Sequence, residues 1–147
     1  MERLSVGQIL VRMGALTPEQ IPKVLEFSKA NGVRFGDACL KLVADALSAI
    51  VHRPADLVAR YSSEKFVVVL GGADGEGAFS VADKLRAAVE ALELPHPESA
   101  TAERVTISLG VATVVPTRDA EWQEIELIAR AERALLQARQ LGRNRVA

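Results

Sequence analysis

The chain has 147 residues, of which 49% are apolar and 25% charged, a balance typical of one globular domain rather than of a disordered segment. Its formal net charge of −1 and its 4% aromatic content leave little to attract or stack nucleic acid. No apolar run is long enough to span a membrane and the amino end carries no export signal, so the sequence predicts a cytoplasmic protein.

The first third of the chain has helical periodicity. Apolar residues recur at i, i+3, i+4 and i+7 over residues 6–13, which places them on one helical face. Thr17 and Pro18 then offer an N-cap and a first-turn proline to a second helix. A third helix is predicted over residues 36–51, where apolar side chains again follow the helical period.

After residue 52 the period changes to that of β-structure. Residues 56–61 and 66–70 are rich in β-branched and aromatic side chains and flank a short polar stretch, which predicts a β-hairpin. The remaining predicted elements are a turn at 71–75, a helix at 81–92, an exposed connection at 95–104, a strand at 105–115, a helix at 121–141 and a short strand at 143–147. This order predicts an α/β sandwich of the α+β type, with a mainly antiparallel sheet of about four strands and a helical cap at the amino end.

Four segments resemble the GGDEF family of diguanylate cyclases, in the family's order and at consistent spacing. Residues 36–40 resemble its GDxxL helix start, and residues 53–61 resemble its RxxD motif with the strand that leads to the signature. Residues 105–112 resemble VTxSxGVA, and residues 131–144 resemble ADxALYxAKxxGRN. The resemblance implies the nucleotidyl-cyclase-like fold of that family.

The signature itself departs from the family pattern and reads Ser62-Ser63-Glu64-Lys65-Phe66. In the family, two glycines let the backbone approach the nucleotide and the acidic residues after them hold divalent metal. Ser62 and Ser63 add side chains at a cost of about 1 kcal/mol each if the glycine backbone is kept. Lys65 puts a cation where the family has a carboxylate, and a cation repels Mg²⁺. The degenerate signature therefore predicts a chain without cyclase activity, catalytic residues, metal or cofactor.

A second departure lies before the GDxxL segment. The family carries a strand with a metal-binding Asp and an FKxxND stretch that contacts guanine, but residues 27–32 contain neither an Asp-x-Asp nor an Asn-Asp pair. Two-metal phosphoryl transfer depends on such carboxylates for positioning and charge neutralisation. Without the family's first strand, residues 66–70 are predicted to pair directly with residues 105–115 or with a strand of a second chain.

The helical first third is similar to a different family, the MshEN module at the amino end of type II secretion and type IV pilus ATPases. Some MshEN modules bind cyclic di-GMP, and residues 6–21 carry the similarity. Ser5 and Ser28 stand where the motif has arginine and glutamine, so this segment is not expected to bind nucleotide. The sequence thus predicts an MshEN-like segment at 1–35 and a partial, degenerate GGDEF domain at 36–147, a chimera that arose in nature or was made.

The remaining candidate for ligand binding is Arg53 with Asp56, at the spacing of the family's inhibitory cyclic di-GMP site. An arginine fork binds phosphate or the acceptor edge of guanine bidentately, and a carboxylate accepts from guanine N1 and N2. Counting from the signature places Lys84 where that site has a further basic residue. The alternative is a solvated surface pair that contributes little to stability.

The sequence is compatible with two functions. In the first, cyclic di-GMP binds Arg53, Asp56 and Lys84 and changes how an inactive domain pairs with itself or with a larger machine. In the second, the chain is a ligand-free structural domain that dimerises or serves as a scaffold. The predicted partners are cyclic di-GMP and either a second copy or a secretion- or pilus-type protein, with no nucleic acid and no membrane.

Overall fold

The computed structural model describes residues 35–94, 104–116 and 124–147, which contain three helices and one β-hairpin. In chain order the elements are α1 (Phe35–Ile50), β1 (Leu57–Arg60), β2 (Phe66–Val69), α2 (Gly75–Ala91) and α3 (Glu124–Gln140). The α+β class is confirmed. The first two predicted helices, which precede residue 35, and most of the predicted connection at 95–104 lie outside the described residues. Within the described ranges, no helix is both long and apolar enough to cross a membrane.

Helix α1 forms as its apolar spacing predicts and provides one side of the core. Ala38, Val43 and Leu47 are buried and pack in one cluster with side chains of α2. Burying an aliphatic side chain such as Leu47 contributes about 1.5–3 kcal/mol relative to leaving it in water. Val51, just beyond the helix, donates its N–H to the carbonyl of Leu47 at 3.0 Å and is also buried.

The hairpin β1–β2 is antiparallel, as predicted, and its strands are paired at both the base and the tip. At the base, Leu57 pairs with Val69. At the tip, the N–H of Tyr61 donates to the carbonyl of Lys65 at 2.8 Å. This register fixes which residues before β1 lie opposite those that follow β2.

The two faces of the hairpin have different surroundings. Val58, Phe66 and Val68 are partly buried and pack against the core cluster. On the opposite face, Leu57 and Val69 are a cross-strand pair and are 57% and 50% exposed. The hairpin therefore packs on the helices by one face and leaves apolar side chains on the other.

Helix α2 begins with a well-formed cap. Gly72 has a φ of 67°, which a glycine adopts without strain, and it leads the chain to Asp74. The side chain of Asp74 accepts a hydrogen bond from the N–H of Gly77 at 2.7 Å, a cap that typically contributes about 1 kcal/mol. Leu85 and Val89 are buried on the inner face of the helix.

The prediction of a continuous strand at 105–115 is wrong in its extent. Leu109 forms one isolated parallel bridge with Val146. In it, the N–H of Leu109 donates to the carbonyl of Arg145 at 2.9 Å, and the N–H of Ala147 donates to the carbonyl of Leu109 at 3.0 Å. The predicted C-terminal strand is likewise reduced to this bridge. The described residues thus hold a two-stranded sheet and a separate bridge instead of a sheet of about four strands.

Direct pairing of β2 with this segment is also not observed, because β1 is the only strand paired with β2 among the described residues. The segment lies against α3 instead, where Gly110 meets the backbone of Ala131 and Leu135. A Cβ at Gly110 would stand 2.8 Å from the Cα of Leu135 and closer still to the carbonyl oxygen of Ala131. The contact with α3 therefore sets the position of the segment. Pairing with a second chain stays a prediction.

The turn after α3 uses left-handed backbone at three successive residues. Gly142, Arg143 and Asn144 have φ values of 120°, 63° and 45°. The Asn144 side chain accepts from Nη1 of Arg86 at 3.3 Å and donates to Oε1 of Glu90 at 3.3 Å, so the turn is tied to α2. These contacts return the chain to the bridge at Leu109.

Candidate functional site

Arg53 and Asp56 lie on the turn between α1 and β1. The N–H of Asp56 donates to the carbonyl of Arg53 at 3.0 Å, which folds the turn. Arg53 then donates from Nε to Oδ2 of Asp56 at 2.8 Å and from Nη2 to Oδ1 at 2.9 Å. This is a bidentate, charge-assisted pair, the stronger class of protein hydrogen bond. The structure thus brings together two of the three residues predicted for the ligand site.

Gly71, just beyond β2, is a third member of this arrangement. Its N–H donates to Oδ1 of Asp56 at 3.2 Å, and its carbonyl accepts from Nη2 of Arg53 at 3.3 Å. A Cβ at Gly71 would stand 2.9 Å from both the Cβ and the carbonyl oxygen of Ala55, so a side chain does not fit without movement. From the sequence, Gly71 was predicted only as part of the turn at 71–75. The hairpin register pairs Leu57 with Val69, so two residues further out Gly71 lies opposite Ala55. That register is the signal that could have identified Gly71.

The two partners differ sharply in exposure. The Asp56 side chain is 4% exposed, whereas the Arg53 side chain is 55% exposed. The pair is therefore not the fully solvated surface pair considered as the alternative. Asp56 is held inside by hydrogen bonds, and Arg53 covers it while keeping part of its guanidinium in solvent.

The charge of Asp56 makes stability depend on pH. The hydrogen bond from Arg53 holds the pKa of Asp56 below its ordinary value of 3.8, although burial acts in the opposite direction. Because the carboxylate is favoured by folding, its stabilisation is fully present well above pH 3.8 and is lost as pH falls through the lower, folded pKa. We expect Asp56→Asn to unfold at lower urea than wild type at neutral pH, with the difference disappearing in acid.

The matched control is Asp45→Asn, which removes an exposed carboxylate paired with Lys41 at 2.8 Å. Its stability should differ less from wild type, because both side chains of that pair are more than half exposed. Urea unfolding midpoints measured from neutral pH down to about pH 2 test this, since such midpoints report stability when the slope is unchanged. An Asp56→Asn difference that stays constant over this range would contradict the assignment.

Lys84, the third predicted residue, is not brought into contact with the other two. It lies exposed on α2, off the stripe that carries Leu85. No hydrogen bond or ion pair joins it to Arg53 or Asp56. Only a ligand spanning the two elements would engage all three residues.

The tip of the hairpin is held by Arg60. Its Nε donates to the carbonyl of Ser62 at 3.2 Å and its Nη2 donates to the carbonyl of Ser63 at 2.8 Å. Positive φ values at non-glycine residues occur elsewhere in the described chain but at neither serine. The strain expected for a retained glycine backbone does not arise at Ser62 and Ser63, because the tip adopts a backbone that serine accepts and Arg60 binds its carbonyls.

Lys65 links the signature to α3. Its Nζ lies 3.6 Å from Oε1 of Glu132, an ion pair between the tip and the helix that the sequence pattern did not indicate. Glu64, the acidic residue retained from the signature, is exposed. Across the described ranges, no three His, Cys, Asp or Glu side chains are grouped so that they could hold a metal ion.

An open cleft of about 270 Å³ lies between α1 and the hairpin. Its polar lining comes from Asp37, Lys41, Ser48 and Arg60, and its apolar lining includes Leu40 and Phe66. Lys41 already pairs with Asp45, and Arg60 already donates to the tip. Residues 36–40 were recognisable as a family motif, but the cleft was not predictable from the sequence, because its other wall comes from the hairpin.

Comparison with known proteins gives one family. The family described as "Diguanylate cyclase, GGDEF domain" matches residues 21–145 of this chain, so the match begins inside the predicted amino-terminal segment. A probable diguanylate cyclase, DgcT, of Escherichia coli K12 is 37% identical over 123 residues, which are 82% of this chain and 26% of that protein. Diguanylate cyclase A of Treponema denticola is 32% identical over 125 residues, 83% of this chain and 32% of that protein. The chain spans about a quarter to a third of these relatives.

Solved structures are similar at the level of the fold. The GGDEF domain of DgcB from Caulobacter crescentus, in complex with c-di-GMP, superposes with a TM-score of 0.65 at 24% identity and covers 84% of this chain and 70% of that one. The active GGEEF domain of a diguanylate cyclase from Vibrio cholerae gives 0.61 at 21% identity, with 83% and 74% covered. At such identities the likeness shows the fold alone.

Proposed function

The chain belongs to the GGDEF domain family of diguanylate cyclases, and from that membership we propose that it is a signalling module without cyclase activity that binds cyclic di-GMP through Arg53. The observation that supports the receptor role is the bidentate contact of Arg53 with Asp56, whose side chain is 4% exposed; this contact holds a half-exposed guanidinium in one orientation. A cation fixed in this way loses little entropy when it binds phosphate.

The proposed loss of activity rests on Lys65 and on the absence of aspartate from the matched residues before Asp37. Lys65 pairs with Glu132, so the signature position carries a cation that is already engaged with α3. The matched segment at 21–36 contains no aspartate. Phosphoryl transfer with two metal ions needs carboxylates that hold the metals against the phosphates, and a lysine at the signature opposes that charge arrangement.

An activity assay tests the proposed loss of cyclase activity. With GTP and Mg²⁺, the wild-type chain is expected to form no cyclic di-GMP above background. A triple variant, Ser62→Gly, Ser63→Gly and Lys65→Glu, should be equally inactive, because it restores the signature without supplying the aspartates before residue 37. Product separation by chromatography, with the active Vibrio cholerae domain as positive control, measures both. Product from either form of the chain would contradict the proposal.

Calorimetric titration tests the proposed binding of cyclic di-GMP. We expect cyclic di-GMP to bind at micromolar concentrations through Arg53, with Lys84 as a second cation for the far phosphate. No heat at about 100 μM ligand would rule out an affinity of regulatory use, since a Kd of 1 mM corresponds to only about −4 kcal/mol. The titration therefore decides between the receptor and the second candidate.

The second candidate is a ligand-free interaction or scaffold domain, acting as a homodimer or with a secretion- or pilus-type protein. Two observations favour it. Arg53 and Asp56 already satisfy each other without a ligand, and Leu57 and Val69 leave the outer face of the hairpin apolar. Exposed apolar side chains grouped on one face are a common property of interaction surfaces.

The two-part organisation of the chain stays a proposal of its own. We propose that residues 1–35 form an MshEN-like helical segment fused to a partial GGDEF domain at 36–147, in a cytoplasmic protein. The similarity of residues 6–21 to MshEN modules supports it. The family match from residue 21 favours a boundary earlier than 36.

A further inference from the structure

The tip of the hairpin, residues 61–65, is contacted from both faces of the hairpin. Arg60 lies on the face that lines the cleft with α1, beside Phe66. Lys65 precedes Phe66, and successive side chains of an extended chain point to opposite faces, so Lys65 reaches α3 and meets Glu132 there at 3.6 Å. From these contacts we infer that Lys65 and Glu132 form a latch, a charge pair that fixes the tip on α3 and opens without unfolding the rest of the chain.

The backbone of the tip is closed by its own residues. The carbonyl of Lys65 accepts from the N–H of Tyr61 at 2.8 Å and from that of Ser62 at 3.2 Å. Arg60 donates to the carbonyls of both tip serines. Because all these groups are near neighbours in sequence, the bonds shape the tip but do not attach it to a helix. Among the described residues, the pair of Lys65 with Glu132 is the polar contact that does so.

Glu132 is the fixed half of the latch. The backbone of Ala131 and Leu135, on either side of it in α3, lies against Gly110. The helix around Glu132 is therefore held by close packing, whereas residues 61–64 of the tip are exposed. Exposed loop tips with few buried contacts open at a low free-energy cost, so the tip is the half that moves.

The latch is weak by itself, which suits a local role. The side chains of Lys65 and Glu132 are 39% and 47% exposed, and ion pairs exposed to this degree change an equilibrium by no more than about fivefold. Such a change is small against the equilibrium constant for folding of a whole domain, but it is large for the opening of an exposed tip. Salt screens a pair of this kind, because the Debye length is only about 3 Å at 1 M ionic strength.

The latch also makes the residue at position 65 depend on the residue at position 132. Lys65→Glu restores the acidic type of residue that the GGDEF pattern has at this point of the signature. It would bring two carboxylates together across the contact with Glu132, and like charges at this distance repel. Lys65→Glu alone therefore opens the tip, whereas exchanging the two charges keeps the attraction.

Amide hydrogen exchange at Tyr61 and Ser62, followed by NMR on the full chain, measures the opening of the latch, since both N–H groups bond to the carbonyl of Lys65. Lys65→Gln and Glu132→Gln should each speed this exchange about twofold to fivefold, and Lys65→Glu should speed it further. The double variant Lys65→Glu with Glu132→Lys should return it to within about twofold of wild type. At about 1 M salt, wild type and Glu132→Gln should exchange alike.

Glu126→Gln is the matched control, because it removes the exposed partner of Arg130 within α3, and it should leave exchange at the two tip amides unchanged. The amide of Val89, which is buried in α2, serves as the reference for unfolding of the whole domain. In wild type the tip amides should exchange at least about 100-fold faster than that reference. Equal rates would mean that the tip opens only when the domain unfolds, and would overturn the latch. So would a charge exchange that fails to restore slow exchange, or an effect of Glu132→Gln that persists at high salt.

Discussion

Gly110→Ala is expected to lower the free energy of unfolding by about 3 kcal/mol or more, at the upper end of what added volume costs in a packed interior. The new methyl group would meet the carbonyl oxygen of Ala131 and the backbone of Leu135 on α3. The segment cannot easily move away, because its neighbours Leu109 and Val111 are hydrogen-bonded to the C-terminal residues. Urea unfolding followed by circular dichroism measures the loss.

The matched control is Gly75→Ala at the first residue of α2. A Cβ there meets only Oγ1 of Thr113 at 3.6 Å, an ordinary van der Waals distance. Alanine is also a better helix former than glycine, so this variant should be as stable as wild type or more stable by up to about 1 kcal/mol. If Gly110→Ala were as stable as Gly75→Ala, the contact with α3 could not be what holds residues 105–116 in place.

Arg53→Ala is expected to weaken cyclic di-GMP binding by about 30-fold or more. Hydrogen bonds to charged groups contribute about 1.5–3 kcal/mol, and about 2 kcal/mol corresponds to a 30-fold change in Kd. Arg53→Lys keeps the charge but not the bidentate contact with Asp56, so it should fall between Arg53→Ala and wild type. Calorimetric titration of each variant gives the ratios.

Arg130→Ala is the control for removing one exposed arginine. Arg130 is paired with Glu126 within α3 at 2.6 Å, and its side chain is 47% exposed. Its loss should change the Kd for cyclic di-GMP by less than about twofold, the scale of a distant, screened charge. Wild-type affinity in Arg53→Ala would place any ligand elsewhere on the chain and remove the basis of the receptor proposal.

The helices that the structure describes were predictable because the apolar pattern that favours each helix lies within the helix itself. Apolar side chains recur with the helical period in α1, α2 and α3. Both ends of α1 are confirmed within one residue, whereas α2 begins at Gly75, earlier than the predicted 81. The hairpin was predictable for a similar reason, since two β-branched runs separated by a short polar stretch fold on themselves. The family could be recognised from short motifs at fixed spacing.

The strand at 105–115 shows where local information fails. Its β-branched residues favour a strand, but the structure forms only the bridge at Leu109. Whether an extended segment forms a ladder depends on which element lies beside it. Here that element is α3, reached through Gly110, together with three C-terminal residues that bridge to Leu109 and Val111.

The signature residues 62–66 likewise make contacts that the sequence pattern does not predict. The sequence shows that Ser62 and Ser63 replace glycines and that Lys65 replaces an acid. It does not show that Arg60 binds the carbonyls of both serines, because that contact depends on how the tip folds. It also does not show that Lys65 pairs with Glu132, which is far away along the chain.

The sequence by itself determined the α+β class, the three described helices, the hairpin and the three-residue spacing of Arg53 and Asp56, because this information lies within one turn or one helix period. Only the tertiary structure decided that the Asp56 side chain is 4% exposed and that Gly71 contacts both partners of the pair. Those features depend on the hairpin register, which brings residues separated in sequence to hydrogen-bonding distance. A carboxylate and an arginine three residues apart can bind a ligand or each other, and in this structure they bind each other and the backbone of Gly71.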